Sequence, residues 1–145
     1  MLRKGGFTLV EILVVVVLLG ILAAIVVPHF TGASNETRTS ALLTDLRRVR
    51  SQIEYYKIQH KDQLPAATGE TADDFLRRMT TKTDVNGNAG NDFGPYFQTI
   101  PVNPFNDRST VRIDGAAAGS NADGWRFDTT TGAFQADDTA AHAAF

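Results

Sequence analysis

One carboxylate, Glu11, stands inside an otherwise apolar run, "FTLVEILVVVVLLGILAAIVV", residues 7 to 27. An ionised acid in a helix crossing a bilayer costs about 2.5 to 3.5 kcal/mol near the membrane centre, and less near an end where it reaches the head groups. Glu11 either snorkels to that interface or awaits a cation that lowers the cost by pairing. Other chemistry is sparse. His29, His60 and His142 are far apart and belong to no metal or nucleophile motif. No Gly-rich turn leads from strand to helix as a phosphate site requires. Asp114, Asn121, Asp123 and Asp128 offer hard oxygen atoms of the kind calcium takes, with a solvated loop as the competing reading. The absence of cysteine excludes disulfides, thiol catalysis and cysteine-based zinc sites. A net charge of −2, with both signs scattered, points to no nucleic acid.

The elements that position these residues follow from patterning. Arg3 and Lys4 precede the apolar run and the next cation is Arg38, so the positive-inside bias puts the N-terminus in the cytoplasm and the remainder outside. As a helix, residues 7 to 27 extend ~31 Å, which matches a hydrocarbon core of ~30 Å. A secretory signal peptide with its cut near Ala23-Ala24 is the alternative. Pro28, Gly32, Ser34 and Asn35 mark a zone where the helix can bend or break. Beyond it Leu42, Leu46, Val49, Ile53 and Tyr56 recur at alternating spacings of 4 and 3, one apolar helical stripe. Asp45, Arg47, Arg48, Arg50, Gln52, Glu54 and Lys57 lie between them, on a solvated face or against a neighbouring subunit. A helix from Phe7 to about His60 would be roughly 80 Å long, a stalk for a small head.

Within that head, Thr71 caps a short helix from Asp73 to about Thr80 whose inner face is Phe75, Leu76 and Met79. Asp84 to Pro95, rich in Gly and Asn, reads as a poorly packed loop. Four segments then read as a small antiparallel sheet: Tyr96 to Ile100, Thr110 to Ile113, Trp125 to Asp128 and Ala133 to Ala136. Its apolar face should cover the Leu42 to Tyr56 stripe. The tail from Asp137 to Phe145 is expected to fray. The fold class is α+β. It combines a long N-terminal helix, transmembrane in its first half and amphipathic in its second, with a small antiparallel head.

"GGFTLVE" followed by the Val/Leu/Ile run and Pro28 resembles the class III signal of type IV pilins and type II secretion pseudopilins. "IPVNPFND" (100 to 107) and "GWRFDTTTGAF" (124 to 134) resemble the turn and closing hairpin of G-type major pseudopilins. The resemblance implies a leader, 1 to 6, that a membrane aspartyl peptidase cuts between Gly6 and Phe7 before methylating the new amine. Gly5, between Lys4 and Gly6, leaves a cut after Gly5 as an alternative. It further implies that Glu11 pairs with the Phe7 amine of a neighbouring copy and sets register in a filament. The remaining segments are then 7 to 28 as membrane helix, 29 to 60 as amphipathic half and 61 to 145 as periplasmic head. Implied partners are the peptidase and methyltransferase, copies of the chain, other pseudopilins, an inner-membrane platform and a cytoplasmic assembly ATPase. Calcium near the C-terminus is a family feature, although the spacing of the four oxygen-bearing residues departs from the family loop. The competing class is a membrane-anchored or secreted binding domain with an ordinary signal or anchor helix.

Overall fold

The computed structural model describes Gly6 and residues 8–145, and for 25–33 the backbone alone. The chain divides into two compact units, 1–37 and 38–145. Helix α1, Leu9–Gln59, contributes to both, and Pro28 lies within it. In the first unit the α1 side chains from 12 to 24 are apolar on every face, and each large apolar residue from Leu9 to Leu22 is at least 49% exposed. Among the described residues, no helix is long and apolar enough to cross a membrane.

The second unit is built on the predicted stripe. Leu42, Leu46, Val49, Ile53 and Tyr56 are all essentially inaccessible. They share one core with Phe75 and Met79 of α2, Ala72–Thr80, and with the aromatic side chains of a three-stranded sheet. Helix α2 starts where Asp74 accepts hydrogen bonds from the Thr71 amide at 3.0 Å and its hydroxyl at 2.9 Å, an acid placed at the positive end of the helix.

The sheet departs from expectation in two ways. Strands β1 (Val111–Ile113), β2 (Trp125–Phe127) and β3 (Phe134–Ala136) lie in chain order, but β1 and β2 are parallel, and only β2 and β3 are antiparallel. The segment 114–124 carries the chain back to the start of β2, and Asp114 and Gly115, at φ of 51° and 74°, turn it away from the hairpin path. The ladder is extended at each end by Trp125 N donating to Thr110 O and Asp114 N donating to Phe127 O. The sheet nevertheless keeps one apolar face: Val111 stands opposite Trp125, Trp125 opposite Ala136 and Phe127 opposite Phe134, with all five buried.

Tyr96 to Ile100 is the second departure, because it is not a strand. Tyr96, Phe97 and Ile100 are buried, but without the alternation of a strand, and the Tyr96 and Phe97 amides both donate to Met79 O at 3.0 Å. They satisfy a carbonyl at the end of α2, which has no partner within its own helix. The Asp84 to Pro95 loop is also better held than its composition implies. Asp84 Oδ1 accepts from the Asn86 and Asn88 amides at 2.9 Å, and Thr83 bridges to both Ala89 and Phe93.

The tail does not fray. Asp137 is fully buried, a helical turn, α3, forms over Ala140–Ala143, and Arg50 donates to Phe134 O at 2.9 Å and Phe145 O at 2.8 Å. Arg50 therefore ties α1 to the C-terminal residues instead of facing solvent.

Leu46→Ala should lower unfolding free energy by about 2–5 kcal/mol, because it empties a fully packed site. Ile58→Ala, at a position 79% exposed on the same helix, should change it by no more than about 0.5 kcal/mol. Denaturant titration of both variants checks the contrast, and equal effects would remove the stripe from the core.

Candidate functional site

The N-terminal site is formed at the start of α1. Gly6 is exposed, and nothing lies within 4 Å of the place a Cβ would occupy, so its backbone is open to approach. Glu11 Oε2 accepts from the Thr8 amide at 2.8 Å and the Thr8 hydroxyl at 2.9 Å, while the Glu11 amide donates to Thr8 Oγ1 at 3.2 Å. This is a reciprocal cap that occupies amides a helix start otherwise leaves unpaired. The letters T-L-V-E carry its signature, the same threonine-x-x-acid pattern that opens α2 at Thr71. Glu11 therefore has a local partner before any intermolecular one, and its carboxylate is held at the positive end of the helix. Phe7, expected to supply the amine, lies outside the described residues, as do 1–5.

The four oxygen-bearing residues near the C-terminus are each committed elsewhere. Asp114 accepts from the Thr129 amide at 2.8 Å and the Thr129 hydroxyl at 2.6 Å. Asp128 Oδ1 caps the amides of Thr130 and Thr131, and its Oδ2 meets Arg126 at 3.1 Å. Asn121 Oδ1 accepts from Asn106. Asp123 lies 3.9 Å from Arg112 Nε. Among the described residues, no group of three or more histidine or acidic side chains is placed to hold a metal ion. The four do not fit calcium as a set: Asp114 and Asp128 serve backbone amides, the Thr129 hydroxyl and Arg126, Asn121 serves Asn106, Asp123 faces Arg112, and they do not converge on one point as such a site requires.

What organises the region is Asp137, assigned above to a loose end. Its Oδ1 accepts from Arg112 at 2.8 Å, Gly119 N at 3.0 Å and Ser120 N at 3.3 Å; Oδ2 accepts from Ser120 Oγ at 3.0 Å and Asp123 N at 3.1 Å. The adjacent Asp138 accepts from buried Asn103, whose amide group also donates to Gly124 O at 2.9 Å. No signal adjacent to Asp137 in the chain marks this role, since its donors come from residues 112 to 123.

Burial alone would raise the Asp137 pKa, but hydrogen bonds from Asp123 N, Arg112, Ser120 and Gly119 outweigh it, and the net shift is downward. Asp128 is lowered from 3.8 to about 2, chiefly by the Thr131 amide and further by Arg126 and Thr130.

Residues 1–27 match the family described as the prokaryotic N-terminal methylation motif, which sets the class of protein to which this N-terminus belongs. Along more of its length the chain is 30% identical to type II secretion system core protein G of Vibrio cholerae, over 105 residues that cover 72% of this chain and 68% of the relative. It is likewise 30% identical to the core protein G of Klebsiella pneumoniae (72% and 71% covered) and of Pseudomonas aeruginosa (71% and 69%). The chain belongs to the type II secretion system core protein G family, whose members are pseudopilins. No solved structure matches it.

The acid limb of stability follows from the lowered carboxyls. Both are more acidic folded than unfolded, so their contribution is complete above pH ~4 and drains as pH falls through the folded values. For Asp128 that window runs from 3.8 down to about 2. Unfolding midpoints measured between pH 5 and pH 2, roughly spanning that window, should fall steadily, and Asp137→Asn should flatten the fall. An unchanged profile in the variant would show that Asp137 does not govern it.

Proposed function

We infer that the chain is a structural subunit of a type II secretion pseudopilus, cut from a leader and assembled through its N-terminal helix. The observation that carries this is the start of α1: an open Gly6, a capped Glu11 and then a segment, 12 to 24, that is apolar on every face, with its large side chains exposed. A helical segment that leaves its apolar surface uncovered by its own chain is built for lipid or for other helices. Membership of the core protein G family supports the same reading.

In this reading residues 1–6 are the leader and 7–28 cross the inner membrane with the N-terminus cytoplasmic. Residues 29–60 form the amphipathic half, and 61–145 the periplasmic head. A prepilin peptidase cuts after Gly6 and methylates the Phe7 amine. The mature helix then leaves the bilayer for a filament of copies and related pseudopilins, driven by a membrane platform and a cytoplasmic ATPase. Glu11 pairs with the Phe7 amine of a neighbouring copy, each group offsetting the desolvation of the other. The role is structural rather than catalytic.

Mass spectrometry of the chain from cells containing the peptidase should find a methylated Phe7 at the N-terminus; an intact leader would overturn the reading. Glu11→Ala and Glu11→Gln should both be processed yet fail to assemble, because glutamine keeps an acceptor for Thr8 but no charge. Filaments formed by the glutamine variant would reduce Glu11 to a helix cap.

A further inference from the structure

The segment 114–124, DGAAAGSNADG, joins two parallel strands without one large apolar side chain. Such a segment cannot hold its shape by burial, and its inward carbonyls need donors from elsewhere. Asn106 and Asn103 supply them at the end of the segment, for Asp123 O and Gly124 O, and two guanidinium groups supply those before it. Arg112 Nη1 donates to Asp114 O at 2.8 Å and Ala116 O at 2.7 Å; its Nη2 meets Asp137 Oδ1 at 2.8 Å, with Ser120 Oγ at 3.4 Å and Ala117 O at 3.5 Å. Arg112 Nε is buried without a hydrogen-bond partner and lies 3.9 Å from Asp123 Oδ2. Arg108 Nη1 holds the far limb through Asn121 O at 2.6 Å and Ala122 O at 2.8 Å.

Backbone carbonyls and carboxylates converging on one positive group form the pattern of a hard-cation loop. Here a planar fork with five donors fills the centre. We propose that the Arg112 guanidinium is the resident cation of the 114–124 loop, standing in the role the family resemblance gives to calcium, so that the C-terminal region is held without a divalent ion. A second cation at this centre would meet the guanidinium charge at close range as well as oxygen atoms already in use. The backbone is shaped to this side chain: a Cβ on Gly115, at φ 74°, would lie 3.4 Å from Arg112 Nη1. Asp137 closes the arrangement, since its single buried charge balances the single charge of Arg112.

Thermal unfolding of the full chain in detergent micelles, followed through Trp125, the single tryptophan and a residue of β2, tests this directly. The midpoint should differ by less than about 1 °C between calcium and EDTA, whereas Arg112→Met should lower it by at least about 5 °C and Arg112→Lys by less. Stabilisation of the unsubstituted chain by several degrees in calcium would overturn the proposal, as would an Arg112→Met chain as stable as its parent. Should Arg112→Met fail to fold, the calcium comparison on the unsubstituted chain and the Arg112→Lys midpoint decide: a lysine variant equal to the parent in both media, or stabilisation of the parent by several degrees in calcium, sinks it.

Discussion

The second unit depends on burying one face of one helix. Leu42, Leu46, Val49, Ile53 and Tyr56 are a stripe that water would penalise at roughly 1.5–3 kcal/mol for each large side chain, and α2 and the sheet share one core with it. Phe75 and Met79 do so from α2, while Trp125, Phe127 and Phe134 do so from the sheet. The sheet is only three residues deep in each strand, too small to persist unaided. Its stability is borrowed from the helix, and Arg50 reinforces the debt by reaching from α1 to the Phe134 carbonyl.

Polar groups do a second job that apolar burial cannot. The chain has no cysteine to staple its C-terminal region, and the segment before β2 has nothing large to bury. Two opposed charges, Arg112 on β1 and Asp137 just after β3, therefore hold that segment through its own backbone. A buried pair of this kind gives little net stability over an apolar pair. Its value lies in geometry: the fork of Arg112 and the two oxygens of Asp137 hold the loop that returns the chain to the start of β2, parallel to β1. Asn103 works alike at the neighbouring turn, bonding Gly124 O and Asp138 from a fully buried position.

Periodicity made the core legible. The helical stripe, the inner face of α2 and the alternation of Val111, Trp125, Phe127 and Phe134 all stand where spacing puts them, because burial is local in sequence once the period is known. What was not legible depended on partners distant in the chain. Nothing near Tyr96 reveals that its amide will serve Met79. Nothing near Asp137 reveals five donors arriving from Arg112, Gly119, Ser120 and Asp123. Strand direction failed for the same reason, since it is fixed by how the intervening loop is held rather than by the strands themselves. At the N-terminal site the acid is conspicuous, and its first partner, Thr8, is legible too, since the four letters of the cap are adjacent.

That cap alters how Glu11 can be understood. A lone carboxylate in an apolar helix would need its cation at once, but this one is already held by two donors from Thr8 at the helix start, where the backbone dipole favours negative charge. The unpaired subunit can therefore carry its acid without an intermolecular partner. Under the proposed processing, the cut between Gly6 and Phe7 turns an amide nitrogen next to Thr8 into an ammonium group. The carboxylate need not be rebuilt to meet it, since Thr8 has fixed the side chain in advance. Two hydrogen bonds from uncharged donors then compete with one full positive charge, and in a low-dielectric surrounding the charge prevails. A single glutamate can in this way serve first as a helix cap and later as one half of an ion pair, with the exchange triggered by the cleavage that creates the other half.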